Sequence, residues 1–149
     1  MEKLQKLQAG LKAPKNQRNS FGGYSYRSCE DILEASKPLL SKLKLVLIVS
    51  DTIESTYDRV YVCATSKLYD AETNTLIAES TGYAREAENR KGMDDSQITG
   101  SASSYARKYS LNGLLCIDDA RDADATNTHG KDKPSPKKVA SKVSSDDII

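Results

Sequence analysis

Between Tyr57 and Tyr69 the residue types alternate. Val60, Val62, Ala64 and Leu68 take the even positions, and Tyr57, Arg59, Tyr61, Cys63, Thr65, Lys67 and Tyr69 the odd ones. Successive side chains of a strand point to opposite faces, so one face is apolar and the other sets cations between tyrosines. Ile77, Tyr83 and Arg85 extend that mixed face on the following strand. Positive charge beside aromatic rings is the chemistry that tracks a nucleic-acid backbone and tolerates bases nearby. The same residues equally suit a solvated sheet face, because Tyr is a good strand former and Arg and Lys line wet surfaces. Two further basic pairs stand downstream, Arg90-Lys91 in a charged loop and Arg107-Lys108 in a long helical segment.

Side chains suited to catalysis are scarce. The one histidine, His129, lies in a polar C-terminal stretch, so neither a Ser–His nor a Cys–His pair has a positioned base. Asp118, Asp119, Asp122 and Asp124 cluster without His or Glu, which reads as a solvated run ending a helix rather than a metal site. Gly10 to Asn16 lacks the P-loop spacing, so ATP use is not expected. Binding without metal or cofactor is the expectation. With 22 Lys and Arg against 21 Asp and Glu the chain carries +1, which excludes a uniformly basic binder. Any polyanion site must therefore come from cations gathered by the fold. Cys29, Cys63 and Cys116 have no C-x-x-C spacing and read as reduced, buried thiols of a cytoplasmic protein. The longest apolar run, Leu45 to Val49, is far short of the roughly 18–20 residues that cross a bilayer, and the N-terminus is not of signal-peptide type.

These residues must be positioned by a modest set of elements. At 149 residues, one domain with an appendage is expected. The division falls near residue 124: 1–124 is patterned, while 125–149 is a Pro-, Ser- and Lys-rich tail too poor in apolar residues to order itself. Leu4, Leu7 and Leu11 mark an amphipathic helix stopped by Pro14. Phe21 to Arg27 reads as a short strand or extended arm. Ser28 with Asp31 forms an acidic capping box for a second helix, in which Pro38 marks a kink or break. Leu43 to Ser50 suits a strand covered on both faces. Tyr57 to Tyr69 and Thr75 to Arg85 form a hairpin, and Ser96 to Ile117 a long helix capped by Asp94 or Asp95. The fold class is α+β, an antiparallel sheet with helices packed on it. At 100° per residue, Ile98, Ala102, Tyr105, Tyr109, Gly113 and Cys116 form the stripe expected to meet the sheet, and Arg107 points away. Leu111 and Leu114 fall near the Arg107 side, which suggests cover from a neighbouring subunit.

Several segments together resemble the Erf family of phage recombination proteins. They are Lys12 to Lys15, Phe21 to Ser28 with Glu30 to Leu33, Gly82 to Glu86, Lys91 to Asp94, and Gln97 to Leu115, in order from about Met1 to Gly130. The resemblance implies a single-strand annealing protein: a homo-oligomeric ring or filament that coats single-stranded DNA and pairs complementary strands without ATP. It implies a β-hairpin and long-helix core with DNA in a basic groove, and makes Arg107 and Lys108 the leading DNA contacts. Arg27, Arg59, Lys67, Arg85, Arg90 and Lys91 complete the expected set. The chain's last residues, Asp146, Asp147, Ile148 and Ile149, are similar to the acidic, apolar-tipped tail of bacterial single-strand binding proteins. They suggest docking on host replication or recombination factors, and with it an alternative function as a passive DNA-protecting or adaptor protein.

Overall fold

The computed structural model describes residues 1–117, and the expectations for the acidic cluster, the lysine-rich stretch and the Asp146 to Ile149 tip lie outside them. The described chain runs α1 (Glu2–Gly10), β1 (Gln17–Asn19), β2 (Tyr24–Tyr26), α2 (Cys29–Leu43), β3 (Leu45–Thr56), β4 (Arg59–Asp70), β5 (Thr75–Arg85) and α3 (Asp95–Leu115). It is an α+β fold: β3, β4 and β5 make an antiparallel meander in that order, and β1 and β2 a separate small hairpin. The helices pack on one face of the meander only.

Local chemistry explains the helix boundaries. Ser28 Oγ accepts the Asp31 N–H at 3.1 Å while Asp31 Oδ2 accepts the Ser28 N–H at 2.8 Å, a complete capping box at the start of α2. Asp94 and Gln97 do the same for α3, at 2.8 and 3.1 Å. Pro38 does not break α2, which continues to Leu43 with Pro38 on its exposed side. In β3 burial alternates, with Leu45 buried and Leu47 and Val49 partly so, whereas Val46 and Ile48 are exposed. The expectation of a doubly covered strand is therefore corrected: a single helical layer leaves the second face to solvent.

The main core gathers Leu4 and Leu7 from α1, Cys29 and Ile32 from α2, Leu45, Leu68, and Leu111, Leu114 and Leu115 from α3. Each fully buried leucine among them contributes about 1.5–3 kcal/mol. Leu111 and Leu114 thus lie under α1 and α2 of their own chain, and Gln8 Nε2 donates to the Leu114 carbonyl at 2.8 Å. No neighbouring subunit is needed to cover them.

The face of α3 on the sheet is also corrected. Ile98, Ala102 and Gly113 meet the sheet as expected, Gly113 against Ser80, but they are joined by Ala106 and Ser110, packed with them over Val62, Ala64, Ser66 and Ala84. Tyr105 and Tyr109 remain half exposed and Cys116 is exposed. The reason is closeness of approach. A Cβ on Gly82 would stand 2.5 Å from both the Ala106 carbonyl oxygen and the Ser110 nitrogen, so only small side chains fit at this contact. The Ser66 and Ser110 hydroxyls satisfy one another there at 2.6 Å. Tyrosine is too large for the seam and is turned out beside it.

Candidate nucleic-acid interface

Turning Tyr105 and Tyr109 outward creates the wall of a trough. Between the β1–β2 hairpin and α3 lies a cleft of about 380 Å³, lined by Tyr24, Tyr26, Arg27, Tyr105 and Lys108 together with Asn19, Ser28, Cys29, Ser101 and Ser104. Ser101 and Tyr105 also wall a second cleft of about 410 Å³, whose other sides carry Tyr83, Arg85, Arg90 and Tyr109. Arg85, Ala87 and Ile98 are in turn shared with a third of about 350 Å³, which reaches Arg59 and Asp58 at the turn between β3 and β4. The three clefts therefore adjoin one another along α3.

Distant segments supply its cations. Lys108 comes from α3, Arg27 from the residue after β2, Arg85 from β5, Arg90 from the following loop, and Arg59 from the start of β4. Lys108 Nζ stands 5.8 Å from the Tyr26 ring centroid, a cation–π placement. Tyr24 meets Tyr26 edge-on at 6.2 Å between centroids, and Tyr105 and Tyr109 tilt together at the same separation. Each ring thus has one neighbouring ring, in edge or tilted contact, and Tyr24, Tyr105 and Tyr109 remain partly open to solvent. Asp58, Glu86, Glu88 and Asp95 make the third cleft mixed in sign.

The remaining expected contacts lie elsewhere. Lys67 stands on the uncovered face of the sheet with Glu79 at 3.8 Å, directly across the β4–β5 pairing. Lys91 is exposed in the loop before α3. Arg107 does not point away from the sheet. Its Nε donates to Asp51 Oδ1 at 2.9 Å and Oδ2 at 3.0 Å, and Ser103 Oγ donates to Asp51 Oδ2 at 2.5 Å. Burial pushes the Asp51 carboxyl up, but the hydrogen bonds from Arg107 and Ser103 together outweigh it and hold the group below the ordinary carboxylate value. Arg107 therefore ties α3 to β3 through Nε, and its side chain remains 40% exposed. Sequence reading missed Asp51, because a carboxylate 56 residues from its arginine leaves no local signal. It also missed Tyr24, Tyr26 and Tyr105 as trough walls, although the YSY repeat and the tyrosine spacing in α3 were visible.

The adjoining clefts are open, and carry cations and rings side by side. Comparison with known proteins identifies the lineage. The ERF superfamily model matches residues 1–148, and the chain belongs to that family. It is 52% identical over 136 residues to the "Essential recombination function protein" of Salmonella phage P22. That match covers 91% of this chain and 64% of the relative, so the chain spans less than two thirds of that protein's length. No solved structure matches. Among the described residues no helix is long and apolar enough to cross a membrane.

Proposed function

We propose that this chain binds single-stranded DNA along the trough and anneals complementary strands without ATP, in phage homologous recombination, as a homo-oligomer. The observation that carries the reading is the convergence of Arg27, Lys108, Arg85 and Arg90 from four segments onto two adjoining clefts. The family and the name of the phage P22 relative support it.

The mechanism follows from what annealing demands. Bases must be held in reach and then surrendered to a partner strand. Base–aromatic stacking holds a base by roughly 1–3 kcal/mol, whereas a duplex step returns only about 1.4 kcal/mol. A trough that stacked every base would trap the strand. Here phosphate contacts from the cations dominate, the partly exposed tyrosines serve as weak platforms, and pairing edges stay outward. Lys91, exposed in the loop next to Arg90, adds long-range attraction. Mixing complementary oligonucleotides with the full chain tests the reading: ATP-free acceleration of duplex formation is expected, and no acceleration, or a requirement for ATP, overturns it.

A further inference from the structure

Two aromatic rings touch nothing among the described residues. Phe21, the single phenylalanine of the chain, and Tyr57 are each fully exposed, at 102%. Both sit at hairpin tips, and the tips stand at opposite ends of the trough. Phe21 lies in the turn joining Asn19 to Tyr24, two residues that wall its first cleft. Tyr57 immediately precedes Asp58 and Arg59, which wall its last.

Neither ring is there by default. Tyr57 and Asp58 form a two-residue loop, since Thr56 pairs with Arg59, and Tyr57 adopts φ +55°. That position favours glycine, and a bulky residue there is sterically costly. The other non-glycine residues with positive φ have a local reason: Lys44 and Cys116 cap helices, and Asn74 sits in a turn that asparagine tolerates. Tyr57 gains no packing in return for its strain, and backbone strain of this kind gathers at ligand-contacting positions. The Phe21 turn is equally well built. Asn19 Oδ1 accepts the Gly22 N–H at 2.9 Å, the Gly23 N–H donates to the Asn19 carbonyl at 2.8 Å, and the Tyr24 ring lies where a Gly22 Cβ would be, at 2.3 Å. An ordered turn holds the ring out in water.

We infer that Phe21 and Tyr57 are base-stacking posts that bracket the trough, each taking a nucleobase of single-stranded DNA at one end of the stretch that a subunit grips. The inference rests on the trough being the DNA path. It resolves the conflict between holding and releasing, because only the two end bases stack fully while those between are held chiefly through phosphate. Both faces of each post ring are open, unlike those of Tyr26, which lies under Lys108.

The test uses the full chain and thymidine oligonucleotides carrying one 2-aminopurine, titrated by fluorescence across a range of salt. Phe21→Ala and Tyr57→Gly are each expected to weaken binding about five- to one-hundred-fold, with the salt slope unchanged because no charge is removed. Tyr57→Phe and Phe21→Tyr, which keep a ring, retain wild-type affinity. Tyr57→Gly does not lower the thermal midpoint, since glycine accepts the turn's φ. Wild-type affinity in Phe21→Ala and Tyr57→Gly overturns the inference. So does a loss that tracks a fall in assembly size by light scattering, which makes the rings contacts between copies. An unaltered salt slope in the double variant Arg27→Ala with Lys108→Ala overturns the trough reading beneath, a result separable from the affinities of the tip variants.

Discussion

The trough and the uncovered face of the sheet use the same residue types to different ends. On the sheet, Tyr61, Lys67 and Tyr69 of β4 face one way, with Glu54 and Val46 beside the tyrosines on β3 and Glu79 beside the lysine on β5. Tyr83 and Arg85, opposite Cys63 and Tyr61, share this face at the β5 edge, where the second cleft reaches them. The surface is flat, its lysine meets a carboxylate, and Val46, Ile48 and Leu76 interrupt it with exposed apolar patches. In the trough the cations arrive from separate elements and stand in a concavity, where low-dielectric walls concentrate the field. Alternation along one strand sets a residue's face. Only tertiary packing makes a site.

Four variants break or sharpen that contrast. The largest effect is expected from Arg27→Ala with Lys108→Ala: about 3 kcal/mol weaker binding to single-stranded DNA at low salt, measured by fluorescence anisotropy, and a matching loss of annealing rate. Next, Gly82→Ala drives a methyl into the backbone of α3 and lifts the helix that walls the trough. It should cost about 2–3 kcal/mol of stability in denaturant unfolding and weaken binding with it. Asp51→Asn should have a smaller effect, most visible in acid. The folded-state value of Asp51 is depressed, so its stabilisation is present above the unfolded carboxylate value of about 3.9 and is lost as pH falls through the lower folded value. Wild type should lose stability across that window, and Asp51→Asn should lose less. Solvent at the pair limits the difference to under about 1 kcal/mol. Smallest is Lys67→Ala, which should leave binding within about twofold of wild type, because Lys67 lines none of the three clefts and stands beside Glu79.

Much of the framework was legible because its causes are local. Ser28 with Asp31, and Asp94 before α3, announce helix starts within four residues, and the alternation of Val60, Val62, Ala64 and Leu68 announces the buried face of β4. The helix face of α3 was half read, with Ile98, Ala102 and Gly113 placed rightly, because periodicity ranks residues by polarity and the seam is decided by size. Gly82 lets the backbone of Ala106 and Ser110 and the Cβ of Tyr109 approach, and the Tyr109 ring is turned out to solvent. β1 was invisible since Gln17-Arg18-Asn19 has no apolar pattern and pairs only because the following Gly-rich turn brings β2 back. The site was half legible. Lys108, Arg85 and Arg90 could be picked as cations, but nothing local showed that they line adjoining clefts with Arg27, while Lys67 and Arg107 lie apart with carboxylates beside them.

The salt dependence of binding to single-stranded DNA tests the central claim most directly. Each phosphate neutralised contributes a slope of about −0.7 in log affinity against log salt, so the four cations of the first two clefts, Arg27, Lys108, Arg85 and Arg90, give about −3, the mixed-sign third cleft adding little. The account predicts that value for the wild type and a slope near −1.5 for Arg27→Ala with Lys108→Ala. A flat response, or one identical in the two proteins, would contradict it.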